Sequence, residues 1–306
     1  MTNLISVAKK SKNIIKPFDK DTDVLLYYGI VAQKLTKYLK SKEIAARNWL
    51  PPGGFPQILK RGSKEPPLWI EDFAKGADYR LLEARKQYKA LKDAKGISPL
   101  QKNIWSYFIP RKLSDFFYAT NGEHPGGKVE RIFFDLDIGS GQTAKNCQIV
   151  AKALAEEIRK EAAIHSFIRS KPFVMWTGKS FHVYIFLKKP QPNSLYVKYF
   201  QFNKSKPELG VIGKWCKAIE KQTKIKTRGG HEKVAGAITI DPSQTPSGKL
   251  CRAPFSLHMS DWKTVDGVAI PLKLSQLSDR NLVSKLQKYT PEKVVKELNI
   301  LAMYLP

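Results

Sequence analysis

The stretch Arg131-Ile132-Phe133-Phe134-Asp135-Leu136-Asp137-Ile138-Gly139 decides how the rest of the chain is read. Side chains alternate along a strand, so Asp135 and Asp137 leave one face while Phe134 and Leu136 enter a core on the other. Two carboxylates this close repel each other, and isolated burial of either carries a heavy desolvation cost. A divalent cation between them resolves the conflict. Hard cations such as Mg²⁺ favour carboxylate oxygens supplemented by water and substrate phosphates. The plainer alternative is a solvated strand end running into a glycine turn.

Working outward, the apolar periodicity predicts a helix over about 143–161, with Cys147, Val150, Ala151, Leu154 and Ile158 on one face. Strands follow over 173–177 and 181–187, joined by the tight Gly178-Lys179-Ser180 turn. A second helix over about 207–222 is expected to bury Leu209, Ile212, Trp215, Cys216 and Ile219, before a strand over 237–241. The order β-α-β-β-α-β is that of a ferredoxin-like or RRM-like unit, an α/β (α+β) fold. Its usual strand order, 4-1-3-2, sets the first strand between the third and fourth. Helices then cover one face, and the other is expected to be open. Asp135, Asp137, Asp241 and His182 converge on that face, with Tyr184 and Phe186 beside His182. Three carboxylates and a histidine gathered there point to a metal-dependent reaction centre.

Two segments supply donors for phosphate. Gly178-Lys179-Ser180 is no P-loop, because position 173 is Phe and a strand follows. A glycine turn can still present backbone N–H groups, Lys179 and Ser180 to a phosphate. After Asp241, the loop Pro242 to His258 carries Lys249, Arg252 and His258, whose donors suit phosphate oxygens. A plain hairpin turn and a solvated basic loop are the alternatives for these two segments.

Composition agrees with a polyanionic partner. Lys and Arg number 53 against 27 acidic residues, a formal net charge of +26. Nucleic acid is the first candidate and an anionic membrane surface the second. Apolar residues at 42% exclude a disordered basic tail as the whole chain. Three scattered cysteines, Cys147, Cys216 and Cys251, write neither a disulfide framework nor a zinc knuckle, so no zinc is expected. No run approaches the ~18 apolar residues of a membrane span, and no signal-peptide pattern opens the chain. An intracellular, cytoplasmic location is the expectation.

Residues 1–115 read as a mainly helical region. Asp21 or Thr22 is expected to cap a helix carrying Leu25, Leu26, Ile30, Leu35 and Leu39, and a second helix is expected over 78–92. Pro51-Pro52-Gly53-Gly54 breaks the pattern between them. Trp49, Trp69, Trp105, Tyr107 and Phe108 are expected to fill a core, the alternative being base stacking. Residues 116–306 then form the catalytic domain, with the RRM-like core over 129–258 and a C-terminal helix over 291–301.

Phe134-Asp135-Leu136-Asp137, Thr177-Gly178-Lys179-Ser180-Phe181-His182, and Ile240-Asp241 with Arg252-Ala253-Pro254-Phe255-Ser256-Leu257-His258 together resemble the archaeo-eukaryotic primase superfamily. The resemblance covers about residues 129–258. It implies an RRM-like primase palm and a template-directed nucleotidyltransferase, a primase or primase-polymerase of DNA replication adding NTPs or dNTPs on a single-stranded DNA template. It implies that Asp135, Asp137 and Asp241 bind two Mg²⁺ or Mn²⁺ ions. It implies further that Ser180, His182, Arg252 and His258 contact the incoming triphosphate. Plasmid primase-polymerases and the polymerase domains of end-joining ligases share the superfamily. A primase accessory subunit or a helicase is a partner the resemblance also admits. Rivals remain open: a non-catalytic RRM-type module stacking bases on Tyr184 and Phe186, a two-metal nuclease, and, last, a structural adaptor dominated by the N-terminal helices.

Overall fold

The computed structural model describes residues 23–49, 57–60, 67–110, 114–122, 124, 126–169, 171–207, 209–260 and 265–306. The caps expected at Asp21 or Thr22, the break at 51–54 and the opening residues of the chain lie outside this set. The described residues fall into two compact units, one within 1–118, 252–269 and 289–303, the other within 119–251, 270–288 and 304–306.

The first unit is built around the helix Val24–Leu35, capped by Asp23, whose Oδ1 accepts from the Leu25 N–H at 3.0 Å. Ten of its residues are buried, so it is apolar nearly all round, as a helix at the centre of a unit must be. Asp23 also receives the Arg85 guanidinium, at 2.5 Å from Nε and 2.9 Å from Nη2. Rings of Tyr28, Phe73, Phe108 and Phe116 cluster at centroid separations of 5.2–6.3 Å. The C-terminal helix Pro291–Ala302 docks on Val24–Leu35 through Val294, Leu298 and Leu301.

Helices dominate this region, but it also holds an antiparallel sheet that sequence periodicity does not announce. Gln57–Lys60 pairs with Ile44–Trp49, which pairs with the strand Ser114–Ala119 through its first five residues. The helix expected over 78–92 is shorter, Tyr79–Gln87, because Tyr88 turns to an extended conformation. Trp49, Trp105, Tyr107 and Phe108 are buried as expected of core aromatics, while Trp69 is 37% exposed.

The second unit contains the β-α-β-β-α-β succession: β1 (Val129–Ile138), α1 (Ala144–Lys160), β2 (Phe173–Trp176), β3 (Phe181–Gln191), α2 (Val211–Thr223), β4 (Thr227–Gly229), β5 (Ile238–Asp241) and β6 (Ile270–Leu272). The sheet order is β6-β2-β3-β1-β5-β4. Its four central strands reproduce the expected 4-1-3-2 arrangement, and β4 and β6 extend it at either edge. The alternation of β1 holds. Phe134 meets Trp215 of α2 at 5.9 Å and Phe200 at 6.2 Å, and the Cys147 thiol of α1 lies 3.6 Å from the Leu136 carbonyl.

Two local expectations fail. Leu209 is 53% exposed, because α2 starts only after Gly210, whose φ of +76° turns the chain into the helix. The face opposite the helices is not open throughout. Tyr184 is fully buried and His182 5% exposed, since rings of Phe133, Phe173, His182 and Tyr184 stack into an aromatic layer there.

Gly139 closes the carboxylate strand. A Cβ added there would lie 1.9 Å from the Val234 carbonyl oxygen and 2.7 Å from that of Ala237. The Gly139 N–H donates to Ala237 at 3.0 Å, so this approach is part of how the 230–237 loop is seated. Gly139→Ala should destabilise the protein by about 1–3 kcal/mol through overpacking, read as a lowered midpoint in thermal denaturation.

Candidate active site

The register around β1 assembles the centre. Asp135 lies directly across from Asp241 on β5 and from His182 on β3. Cross-strand partners share a face, and alternation puts Asp137 on it too, opposite Thr239. The β1–β5 ladder runs only from Asp135 to Ile138. At Phe133 the Thr245 hydroxyl takes over, accepting from the backbone N–H at 3.0 Å and donating to the carbonyl at 3.1 Å. Thr245 thus ties the loop after Asp241 back to the carboxylate strand.

Each carboxylate is held by a protein donor. His182 Nε2 stands 3.5 Å from Asp135 Oδ1, while its Nδ1 is 3.1 Å from the Tyr184 hydroxyl. A carboxylate only accepts, so this arrangement suits an Nε2–H facing Asp135 and a Tyr184 hydroxyl donating to Nδ1. Edge-on packing of the imidazole against Phe133, at 4.7 Å and 79°, fixes the ring further. Asp137 Oδ1 pairs with Lys233 Nζ at 3.0 Å. Asp241 accepts from the Ser243 N–H at 2.7 Å and from its hydroxyl at 3.0 Å.

Asp241 is 6% exposed, whereas the side chains of Asp135 and Asp137 are 32% and 19% accessible. Burial pushes the Asp241 carboxyl above its ordinary value, and the charge of Asp137 adds to the rise; the Ser243 donors only partly oppose them. The Tyr196 hydroxyl is raised as well, by burial first and by Asp241 second. These carboxylates therefore feel one another's charge.

Hard oxygen donors on one face of adjacent strands are the right type for Mg²⁺ or Mn²⁺, and a divalent cation would reverse the unfavourable ionisation of Asp241. Among the described residues, however, no three His, Cys, Asp or Glu are gathered as a ready metal cage. Lys233, His182 and Ser243 each engage one of these carboxylates. The residues fit in kind, and a cation would have to compete with those three.

Gly178, with φ of +103°, turns the chain between β2 and β3. Thr177 Oγ1 lies 3.0 Å from both the Ser180 N–H and its hydroxyl, and Lys179 is exposed at the tip. Lys249 is exposed, with its carbonyl accepting from Thr120 N–H at 3.0 Å.

Arg252 and His258 belong to the first unit. Arg252 is 6% exposed, with Nη1 donating to the Leu257 carbonyl and lying 3.4 Å from Ser256 Oγ. It stands 3.6 Å from the buried Asp115 carboxylate and over the Phe117 ring at 5.0 Å. Asp115 also binds Arg47. The neighbouring Phe255 adopts φ of +67°, a costly conformation for a bulky residue, fixed by Tyr27 donating to its carbonyl at 2.7 Å. His258 Nε2 is 3.7 Å from Asp266.

Sequence reasoning passes over Lys233, Thr245, Tyr196 and the positioning role of Tyr184. Ser243 was passed over as well, although a donor two residues after an Asp is the pattern of an Asx turn and would have found it. Lys233 carries no local signal, since only the seating of its loop against Gly139 brings it to Asp137.

No family model and no curated protein matches the chain. Among solved structures it is similar to the polymerase domain of Mycobacterium tuberculosis ligase D in complex with DNA, with a TM-score of 0.57. The identity is 18%, over 92% of this chain and 92% of that one, a likeness of fold. No described helix is long and apolar enough to cross a membrane.

The raised Asp241 carboxyl sets a pH test. A group whose folded pKa lies above its unfolded value binds its proton more tightly when folded, so stability falls as pH rises from about 3.8 through the folded pKa. Without divalent cation, Asp241→Asn should melt higher than the parent at neutral pH, and the difference should vanish in acid below this window. Thermal denaturation across pH 3–7 reads it.

Proposed function

We propose that the chain is a metal-dependent, template-directed nucleotidyltransferase of the archaeo-eukaryotic primase superfamily, extending a strand on a DNA template. The observation that carries this reading is the position of Asp135, opposite Asp241 on one side and His182 on the other, with Asp137 on the same face. A sheet that merely bound nucleic acid would gain nothing from three acids repelling phosphate.

Asp135, Asp137 and Asp241 would hold two Mg²⁺ or Mn²⁺ ions, which lower the pKa of an attacking 3′-hydroxyl and stabilise the leaving pyrophosphate. The remaining work is binding and orientation. His182, with its ring fixed by Tyr184 and Phe133, would direct Nε2 at a triphosphate oxygen. Ser180 would offer a hydroxyl and Lys179 an ammonium at the turn beside it, and Lys249 would add a further ammonium. Lys233 pairs with Asp137 and would yield that oxygen to a cation.

Within the superfamily, an end-joining or repair polymerase stands beside a primase as a reading, the chain sharing the fold of a ligase D polymerase domain. Intracellular residence on DNA follows from that role.

Primer extension on a single-stranded template tests the reading, with separate NTP and dNTP pools, with and without primer, in Mg²⁺ and Mn²⁺. Strand lengthening that requires nucleotides is expected. Asp135→Asn and Asp137→Asn should each lower it at least about a thousand-fold, a loss of several kcal/mol of transition-state stabilisation, with DNA affinity retained. Degradation of the labelled strand by metal alone would replace this reading with a nuclease.

A further inference from the structure

The loop between β4 and β5, residues 230–237, carries three ionisable residues in a row, His231-Glu232-Lys233. Its backbone is tied to the end of the strand that bears the acids. The Gly139 N–H donates to the Ala237 carbonyl at 3.0 Å, and the Gly236 N–H to the Ser140 carbonyl at 2.8 Å. Gln142 Nε2 donates to the Gly236 carbonyl at 2.8 Å, and the Thr239 hydroxyl to that of Glu232 at 3.2 Å.

The side chains of this loop sort by charge. Lys233 Nζ stands 3.0 Å from Asp137 Oδ1, and a protonated His231 is near enough to Asp241 to favour its carboxylate. Glu232 between them pairs instead with Lys204, at 2.7 Å. An ammonium and a divalent cation on one carboxylate oxygen repel each other, so the two compete for it. Because the loop is anchored, the ammonium competes at a local concentration set by its tether and not by the solution. The Lys233 side chain is 66% accessible, so its ammonium can pass into water while the backbone stays seated. His182 has no such freedom, with its side chain 6% accessible and its ring held by Tyr184 and Phe133.

We infer that Lys233 is a tethered counter-ion of the carboxylate face, which competes with the divalent cation for Asp137 and sets the concentration at which the face fills. The inference deepens the nucleotidyltransferase reading and rests on it for the presence of a working cation. The loop thereby keeps Asp137 neutralised when the face is empty, and filling it exchanges one cationic group for another.

The test is binding of Mn²⁺ to the full chain without nucleotide or DNA, read as loss of the free-ion signal in electron paramagnetic resonance. The parent should bind Mn²⁺, and Asp135→Asn should lose that binding. Lys233→Met should bind about 2- to 5-fold more tightly, the range that release from an exposed ion pair supports. Lys233→Arg keeps the charge and offers Asp137 a forked donor, so it should bind no more tightly than the parent. Lys226→Gln, which neutralises an exposed lysine next to β4, should leave the affinity unchanged. Unaltered affinity in Lys233→Met, or equal tightening in Lys226→Gln, would overturn the inference and leave the metal centre standing. Absence of Mn²⁺ binding in parent and variants alike, or full binding by Asp135→Asn, would remove the nucleotidyltransferase reading and the inference together.

Discussion

Everything in the second unit depends on the register of β1 between β3 and β5. A slip of one residue would turn Asp135 and Asp137 into the apolar layer and bring Phe134 and Leu136 out. Several contacts forbid the slip. Phe134 is committed to Trp215 and Phe200, Leu136 and Ile138 face Ile240 and Ile238 across the ladder, and Thr245 clasps both backbone groups of Phe133. The apolar residues between the acids therefore hold the acids in place. Their burial supplies the energy that keeps mutually repelling carboxylates on neighbouring strands.

Those carboxylates are quieted by the protein's own donors, and by unequal means. Asp137 has an exposed lysine, a pair of the kind that contributes little and breaks easily. Asp241 has both of its oxygens held by Ser243 within its own turn, one by the N–H and one by the hydroxyl. Asp135 faces an imidazole whose orientation is set from behind by Tyr184. A cation entering the face would relieve the buried carboxylate of Asp241, whose ionisation burial disfavours.

The core of this unit was legible because its signals are local and periodic. Cys147, Val150, Ala151, Leu154 and Ile158 are all buried at helical spacing, and the alternation of β1 gave both the strand and the face of its acids. What escaped the sequence depends on contacts between distant residues. The strands Thr227–Gly229 and Ile270–Leu272 are three residues long and become strands only by pairing with β5 and β2. Tyr184 and Phe186 alternate with residues facing the helices, yet they are buried, because the opposite face is an aromatic layer and not a stacking platform. Leu209 has the spacing of a helix residue but precedes a glycine that delays the helix by a turn's entry. Arg252 sits in a Pro/Ser/Gly-rich segment that suggests solvent, and nothing local reveals the buried Asp115 that holds it.

Several arginines are committed to acids inside the protein, while many lysines stay at its surface. Arg85 on Asp23, and Arg47 and Arg252 on Asp115, place planar guanidinium groups on acids inside the first unit, where a forked donor loses least on burial. Arg131 is likewise buried, over the Phe186 ring. Lysines such as Lys152, Lys179, Lys188, Lys214 and Lys249 remain at the surface. An ammonium on a flexible stem meets phosphate as a point charge, without the fixed geometry that reads a base edge. A surface charged in this way attracts polynucleotides strongly and with steep salt dependence, yet discriminates weakly among sequences. That is the surface a template-directed enzyme requires, because base pairing to the template supplies the selection and the protein has only to hold the backbone.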